Sequence, residues 1–197
     1  MPHRPANPRT PAAPAINTAP IATPGRDQRL GALLAGGQSR RFGSDKADHI
    51  VAGRTLRAHT IGALAGACGT VIICGPPVAG HANIADEPMA DMGPLGGLNA
   101  ALAHAARHGF AGVLCAPVDV FPLPGNLADA LVGAGPAVFA RQYLVGYWPV
   151  ACGPALDAYL RSGQRAVRGW LDAAQPRLVA EPAGLLNINR LADAPPQ

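Results

Sequence analysis

The sequence predicts an α/β fold built around a mainly parallel sheet. Short apolar runs alternate along the chain with longer runs rich in alanine and leucine, an alternation that is typical of βαβ units. The chain has 197 residues, which is enough for one domain with a buried core and few for two. Apolar residues make up 49% of the chain and charged residues 14%, which fits a compact globular domain.

The first 29 residues differ in composition from the rest of the chain. They carry seven of the 21 prolines and no aromatic residue, so they cannot bury enough apolar surface to offset the entropy of ordering. We therefore expect a disordered Pro/Ala-rich tail over residues 1–29 and a single domain over residues 30–197. The prolines interrupt every apolar run that would serve as a signal peptide, and no apolar stretch reaches the roughly 18 residues of a membrane span. We expect neither export nor a membrane partner.

The charge distribution indicates which classes of partner the protein binds, and the cysteines indicate its cellular compartment. The net charge is +4, of which residues 1–29 carry four arginines against one aspartate, or +3, so residues 30–197 carry only +1. Without a general basic field, we expect no nucleic-acid partner. The four cysteines form no CxxC pair and have no histidine at ligand spacing, so we expect buried reduced thiols and a cytoplasmic protein. They are Cys68, Cys74, Cys115 and Cys152.

Two βαβ units are predicted first along the chain. The apolar run 30–34 is the first strand, residues 54–67 place leucine and isoleucine near the 3.6-residue period of a helix, and residues 70–75 form a short apolar strand. In the second unit, the Gly/Pro turn DMGPLGG leads into a helix that ends at Gly109. The buried strand that follows, in FAGVLCAPVDVFP, runs out into Asp119.

The last third of the chain predicts two further strands and two helices. PAVFA and YLVGYWPVAC are strand-like, and Pro149 marks an edge strand or the end of a strand. Helices are expected at 153–162 and 164–174. The segment NINRLADA offers asparagine for helix capping near the C-terminus.

The segment LAGGQSRRFGSDKA follows the first strand directly. Gly36 and Gly37 lack a Cβ atom, so their backbone can approach a ligand and present N–H groups to phosphate oxygens. Arg40, Arg41 and Lys46 would neutralise a polyphosphate. The spacing matches neither GxxxxGK[ST] nor GxGxxG, which argues against a P-loop NTPase and a Rossmann dehydrogenase. An ordinary surface turn with a solvated charged face is the alternative interpretation.

Carboxylates are expected at the same edge of the sheet, because ligands of open α/β sheets bind beyond the carboxyl ends of the strands. Asp119 follows the third strand, where a carboxylate can hold Mg²⁺ together with substrate phosphates and water. An aspartate of a turn or a helix N-cap is the alternative at this position. Asp86 and Asp91 precede the Gly/Pro turn of the second helix, at the same edge.

These segments resemble a known family. LAGGQSRRFGSDKA is similar to the nucleotide-binding signature LAGGxSxRMGxDKA of the molybdenum cofactor guanylyltransferases, which belong to the wider nucleotide-diphospho-sugar transferase superfamily. The resemblance continues through Asp86, GPLGGLNAAL, CAPVDVFPLP, GQRAVRGWL and the late NIN, and so spans residues 30–192. It implies a Rossmann-like three-layer α/β/α sandwich of the nucleotide-diphospho-sugar transferase type, with a mostly parallel sheet.

The resemblance also implies an activity, the transfer of GMP from GTP to the terminal phosphate of molybdopterin, with Mg²⁺ as cofactor and pyrophosphate as the second product. Arg41 and Lys46 would hold phosphates as catalytic residues, and Asp119 would be both catalytic and the metal ligand. Phosphoryl-type transfer needs mainly positioning and charge neutralisation, which a metal, a lysine and an arginine supply. The nucleotide-binding residues implied are Leu34, Ala35, Gly36, Gly37, Lys46, Cys74, Asp86 and Asp119.

The later motifs supply residues for the second substrate. Arg165 and Arg168 are three apart, so they would share a helix face and receive the phosphate or the pterin of molybdopterin. A solvated charged face is the alternative for this pair. Asn187 and Asn189 match family positions near the pterin.

Three departures from the family pattern bear on specificity. Phe42 replaces the usual methionine as a bulky apolar anchor, Cys74 lies where some relatives carry an asparagine that holds the nucleotide, and Trp148-Pro149 stands where relatives often have His-Pro. None of them removes a phosphate or metal residue, so they concern guanine recognition rather than catalysis. We expect Trp148 and Trp170 to be partly buried packing residues rather than platforms for a pterin.

Two alternatives stay open. One is a molybdopterin cytidylyltransferase or a sugar-phosphate nucleotidyltransferase of the same superfamily, since few contacts set base choice. The other is a non-catalytic protein that binds and delivers the cofactor, against which Lys46 and Asp119 argue, because a carrier needs no metal carboxylate. The instability of the pterin favours a handover that involves a molybdenum-insertion protein or an apo-molybdoenzyme.

Overall fold

A seven-stranded sheet forms the centre of the protein. The computed structural model describes residues 23–35 and 46–188. The strands, numbered in chain order, are β1 (Arg29–Leu34), β2 (Ile50–Val51), β3 (Arg54–Thr55), β4 (Thr70–Cys74), β5 (Ala82–Ile84), β6 (Gly112–Pro117), β7 (Val120–Phe121), β8 (Ala137–Phe139), β9 (Gly146–Pro149), β10 (Arg177–Val179) and β11 (Leu186–Asn187). The helices are α1 (Leu56–Ala67), α2 (Pro94–Arg107), α3 (Leu127–Leu131), α4 (Gly153–Arg161) and α5 (Val167–Ala174).

The order of strands in the central sheet is β10-β8-β9-β6-β1-β4-β5. β1 pairs in parallel with β4 and β6, β5 continues in parallel from β4, and β9 is antiparallel to both of its neighbours. Two small antiparallel ladders, β7–β11 and β2–β3, lie outside this sheet. The carboxyl ends of β1, β4 and β6 therefore meet at one edge, which we call the carboxyl edge. The predicted mainly parallel sheet is confirmed.

Helices cover both faces of the sheet and bury two separate cores. Along β1, the side chains of Leu30, Ala32 and Leu34 belong to the core beneath α2, α4 and α5, whereas Leu33 belongs to the core beneath α1 and α3. This alternation follows from the two-residue period of a strand. The structure is thus a three-layer α/β/α sandwich, as the family resemblance implies.

Local signals set most of the element boundaries. α1 begins where Thr55 accepts a hydrogen bond from the Ala58 amide, a standard N-cap contact.

Pro149 is the last residue of β9, and β9 is an interior strand of the sheet. The prediction that this proline marks a strand end is therefore correct, and the alternative that it marks an edge strand is wrong. Asn187 lies in β11 and caps no helix, contrary to the expectation for NINRLADA. The segment from Asn189 onward lies outside the described residues.

The residues just before β1 contact the domain. Arg26 donates from Nη2 to the carbonyl of Ala65 in the last turn of α1, at 2.7 Å, and its own carbonyl accepts from the Gly69 amide at 2.9 Å. A cation at a helix C-terminus is favourable both as a donor and through the helix dipole. Arg26, which lies in the predicted tail, therefore contacts the end of α1, and Arg29, the last residue of the predicted tail, is the first residue of β1. The predicted disorder of the preceding residues concerns a segment outside the described part of the chain.

The four cysteines are buried and unpaired by disulfides, as expected. Burial raises the pKa of the Cys152 thiol to about 12, so this cysteine is a neutral apolar core residue at physiological pH. None of the helices within residues 23–35 and 46–188 has the length and apolarity needed to cross a membrane.

Candidate functional site at the carboxyl edge of the sheet

The backbones of β1 and β4 approach each other closely where the two strands end. The Ala35 amide donates to the carbonyl of Cys74 at 2.8 Å, and Leu34 is buried below it. Gly75 has φ +146°, and a Cβ atom at this position would lie 2.8 Å from the Cβ of Ala35. Only glycine fits such an approach without strain. The glycine at position 75 therefore allows the ends of β1 and β4 to pack directly against each other at the carboxyl edge.

The phosphate-binding segment predicted directly after β1 falls mostly outside the described residues. Gly36, Gly37, Arg40 and Arg41 are not among them, and for Lys46 the backbone alone is described. That backbone begins a short 3-10 turn, Lys46–Asp48, which packs on α1. The roles of these residues stay predictions.

The structure places Asp86 against the first turn of α2. A Cβ atom on Gly96 would lie 3.0 Å from Oδ2 of Asp86, and one on Gly97 would lie 3.0 Å from the Cβ of Cys74. The absence of side chains at Gly96 and Gly97 thus leaves room beside the helix for the half-buried Asp86 carboxylate and for Cys74 at the end of β4. Asp86 and Cys74, predicted on the same nucleotide-binding side from distant segments, are brought together here.

The electrostatics of this corner favour neutral groups. Burial raises the pKa of the Asp86 carboxyl, the Met92 amide lowers it in part by hydrogen bonding, and the charge of Asp91 raises it further. Burial, reinforced by the charge of Asp86, raises the pKa of the Cys74 thiol to about 12. Cys74 is therefore a protonated thiol at neutral pH and is not a nucleophile.

Asp119 lies in the turn that joins β6 to β7, just beyond the point where Pro117 faces Leu34 across the sheet. Its carbonyl accepts a hydrogen bond of 2.7 Å from the Ile188 amide. Asp119 is thus a turn residue, as one of the alternatives predicts. It does not cap a helix, because a strand follows the turn. Because β11 pairs with β7, Asn187 lies beside the same turn, opposite Val120. The predicted metal residue and one predicted acceptor residue are therefore neighbours.

The carboxylate of Asp119 fits a Mg²⁺ site that is completed by substrate and water, rather than a metal site built from three or more protein side chains. Within residues 23–35 and 46–188, no group of three or more His, Cys, Asp or Glu side chains converges to hold a metal ion. Mg²⁺ typically takes one or two carboxylates and completes its octahedron with substrate phosphates and water. The half-buried Asp119 at the carboxyl edge is a carboxylate of this kind.

The prediction that Arg165 and Arg168 share a helix face is wrong. α5 begins at Val167, so Arg165 precedes the helix, whereas Arg168 lies in its first turn. The reason is a tertiary contact, in which the Tyr159 hydroxyl donates to the carbonyl of Ala166 at 2.8 Å and holds this residue in an extended conformation. Both arginines are exposed.

Sequence reasoning did not identify Tyr143 beside Arg168. The Arg168 guanidinium lies 5.7 Å from the centre of the Tyr143 ring, within the range of a cation–π contact. The two residues line a cavity of about 370 Å³ between α5, the connection from β8 to β9, and the start of β10. Tyr143 stands 25 positions from Arg168 in the sequence, and no local pattern joins them.

Trp148 and Trp170 are packing residues, as predicted, although they are more deeply buried than expected. Their exposures are 2% and 1%, and their ring centres lie 5.7 Å apart. Neither ring is accessible to a ligand, which excludes both as platforms for a pterin.

Comparisons with known proteins identify the family. Residues 31–178 match the family model described as the MobA-like NTP transferase domain. The chain is also 36% identical over 188 residues to the molybdenum cofactor guanylyltransferase of Acidiphilium cryptum (strain JF-5), an alignment that covers 88% of this chain and 95% of the relative. The protein belongs to the MobA-like NTP transferase family.

Solved structures of low sequence identity share the fold. Molybdopterin-guanine dinucleotide biosynthesis protein A from Archaeoglobus fulgidus aligns with a TM-score of 0.57 at 18% identity, over 78% of this chain and 83% of that chain. The 2-C-methyl-D-erythritol 4-phosphate cytidylyltransferase from Thermus thermophilus aligns with a TM-score of 0.61 at 19% identity, over 83% and 93%. This chain thus shares its fold with both of these structures.

Within this MobA-like protein, a second polar side chain shapes the edge near Cys74. Asn83 of β5 donates from Nδ2 to the carbonyl of Gly75 at 2.5 Å. The contact fixes the peptide that follows β4, next to the position where the sequence departs from the asparagine of some relatives. Nothing in the spacing of the sequence indicates this role.

Proposed function

We propose that this protein transfers GMP from GTP to the terminal phosphate of molybdopterin. An oxygen of that phosphate attacks the α-phosphorus of GTP, a new P–O–P linkage forms, and the bond from the α-phosphorus to the bridging oxygen breaks. The products are molybdopterin guanine dinucleotide and pyrophosphate. The observation that carries the proposal is the convergence, at one sheet edge of a MobA-like NTP transferase, of the ends of β1, β4 and β6 with Asp86 and Asp119.

Different residues of the chain bind the nucleoside and the triphosphate of GTP. The main-chain surface at Leu34 and Ala35, with the glycines that follow, contacts the nucleoside, and Asp86 lies on the side of the base and ribose. Arg41 and Lys46 neutralise the triphosphate through charge-assisted hydrogen bonds. Since this transfer needs little covalent participation by the protein, fixing the α-phosphate in line with its attacker supplies much of the rate.

Asp119 would hold Mg²⁺ beside the phosphates. When bound, the ion neutralises charge that develops on the phosphate oxygens and on the departing pyrophosphate. The fixed backbone of the turn, held by the Ile188 amide, keeps the carboxylate at the edge. The acceptor would bind on the same side as Asp119, beside which Asn187 lies. Asn187, Asn189, Arg165 and Arg168 are the residues that the family resemblance assigns to it.

The proposal also includes delivery of the cofactor product to another protein and a cytoplasmic location for this protein. A reactive pterin substrate favours handover that involves a molybdenum-insertion protein or an apo-molybdoenzyme. Four buried, free thiols fit the reducing conditions of the cytoplasm.

Pyrophosphate release tests the proposal. The protein is incubated with Mg²⁺ and molybdopterin, in parallel with GTP, CTP, ATP and UTP. We expect release with GTP and a background signal with the other nucleotides. Preference for CTP would identify a cytidylyltransferase, and no release with any nucleotide would contradict the proposed reaction.

A further inference from the structure

Asn99 is one of two polar residues that, backbone and side chain together, are almost completely buried within residues 23–35 and 46–188. Its exposure is 3%, and the other, Thr60, has an exposure of 2%. A buried amide is costly unless its donors and acceptors are satisfied, so its position indicates a specific use. Thr60 has a local use, since its hydroxyl donates to the carbonyl of Leu56 within α1. Asn99 makes contacts that are distant in sequence.

The Asn99 amide joins three parts of the protein. It lies in the second turn of α2, and Nδ2 donates to the carbonyl of Glu87 at 3.3 Å and to Oδ1 of Asp157 at 3.2 Å. Asp157 belongs to α4 and is itself held by Arg161 at 2.6 Å. One amide group thus links the loop before α2 to both helices.

The loop that receives this contact is the one that carries Asp86. Glu87, the next residue, also bonds α2 through its amide, which donates to the carbonyl of Gly96 at 3.4 Å, and through its carboxylate, which lies 3.6 Å from the Arg107 guanidinium. The amide contact is long and the ion pair is exposed, and such contacts hold a loop weakly. The contact from Asn99, at 3.3 Å, is also long, but its donor is a buried side chain, so water competes with it less than with the exposed ion pair. The Met92 amide bonds the Asp86 carboxyl itself, and Asn99 adds a hold on the peptide that follows Asp86.

The geometry points to Asn99 as a positioning residue for nucleotide binding: it fixes the Glu87 carbonyl, and thereby holds Asp86 against the first turn of α2 where the nucleoside binds. Asp157 holds the Asn99 amide in the productive rotamer. This inference rests on the proposed function, because it takes Asp86 as a nucleotide contact. It assigns no contact with substrate to Asn99 itself.

Equilibrium binding of GTP, measured by calorimetry with the full chain, tests the inference without requiring transfer. Asn99→Leu keeps the approximate volume and removes the amide. We expect the Kd for GTP to rise about fivefold, the equivalent of one lost hydrogen bond. Thr60→Val is the matched control, since it removes one hydrogen bond from an equally buried site in α1 and should lower the unfolding midpoint while leaving the Kd unchanged.

A double-variant comparison distinguishes positioning from a general effect on the fold. If Asn99 acts through Asp86, then Asn99→Leu leaves the Kd unchanged when it is added to Asp86→Ala, because the group that it positions is gone. An equal rise in Kd in both backgrounds would overturn the inference, as would an unchanged Kd in the single variant. Wild-type protein that binds GTP without making product would instead contradict the proposed transfer and leave this inference in place.

A second variant covers the case in which Asn99→Leu does not fold. Asp157→Ala removes the partner of Asn99 on α4 at a side chain that is 35% exposed, so a folded protein is expected. We expect the Kd for GTP to rise about twofold, since the Glu87 contact survives with a less restricted amide. A Kd equal to that of the wild type would overturn the role of Asp157 and of the rotamer that it fixes.

Discussion

The Ile188 amide donates a hydrogen bond of 2.7 Å to the carbonyl of Asp119. This contact continues the ladder between β7 and β11, so the C-terminal strand of the described chain holds the turn that carries the predicted metal ligand. The backbone of Asp119 is thus fixed independently of its carboxylate. Changes to the carboxylate can therefore be tested without releasing the turn.

Asp119→Asn should abolish most of the transfer and leave the fold intact. The substitution keeps the size of the side chain and the backbone contact but removes the negative charge that holds Mg²⁺, so we expect a loss on the order of a hundredfold or more in kcat/KM. Pyrophosphate release and the thermal unfolding midpoint measure the two effects. Retained activity would contradict the metal role of Asp119.

Gly75→Ala should destabilise the protein, whereas Gly66→Ala should stabilise it. At Gly75 the backbone has φ +146° and a Cβ atom would meet Ala35 at 2.8 Å, so we expect a loss on the order of 1–3 kcal/mol in the free energy of unfolding. Gly66 lies in α1 with nothing within 4 Å of a new Cβ atom, so alanine should add about 0.5–1 kcal/mol. Urea unfolding measures both, and the same sign for both would refute this account of the strand end.

Much of the fold follows from the sequence because its signals are local. The apolar runs at 30–34 and 70–75 predict β1 and β4 to within a residue, and the helix that ends before Gly109 is α2. Arg165 was misplaced because the start of α5 depends on the Tyr159 hydroxyl, a contact across the turn between two helices. Boundaries set by tertiary hydrogen bonds leave no local pattern to detect.

The sequence predicts the carboxylates of the candidate site but not the side chains that hold the neighbouring backbone in place. Asp86 and Asp119 stand at strand ends, where the general rule for α/β sheets places ligands. The groups that hold them in place were not predicted, because Asn99 reads as an ordinary residue of an alanine-rich helix and Asn83 as part of a short strand. Their roles arise from partners at least eight positions away, and a sequence does not display such pairs.

Asp86→Asn should stabilise the protein at neutral pH and weaken GTP binding. Burial raises the pKa of this carboxyl above the ordinary value of 3.8. The folded state therefore keeps a proton that the unfolded state releases, and stability is lost as pH rises through the folded pKa. The asparagine variant lacks this loss, so its advantage in unfolding free energy should grow as pH rises above 3.8 and level off once the pH exceeds the folded pKa of Asp86. Unfolding midpoints across pH check the trend, and parallel curves for the two proteins would contradict it.

Arg168→Ala should weaken binding of the acceptor while leaving GTP binding unchanged. The guanidinium lies over the Tyr143 ring and lines the cavity beside α5, so its loss should raise the KM for molybdopterin about tenfold. Arg165→Ala should raise the same KM by a smaller factor, because Arg165 precedes α5 and is not among the residues that line this cavity. Steady-state kinetics with each substrate varied in turn separate the two constants. A raised KM for GTP alone would place Arg168 on the nucleotide side.

Identification of the product by mass spectrometry tests the central proposal most directly. The wild-type protein is given GTP, Mg²⁺ and molybdopterin, and the dinucleotide and pyrophosphate are quantified in the same samples. We expect molybdopterin guanine dinucleotide and pyrophosphate in equal amounts, both dependent on molybdopterin. Pyrophosphate or phosphate without the dinucleotide, at a rate that is the same when molybdopterin is omitted, would show that GTP is merely hydrolysed and would contradict the proposed transfer.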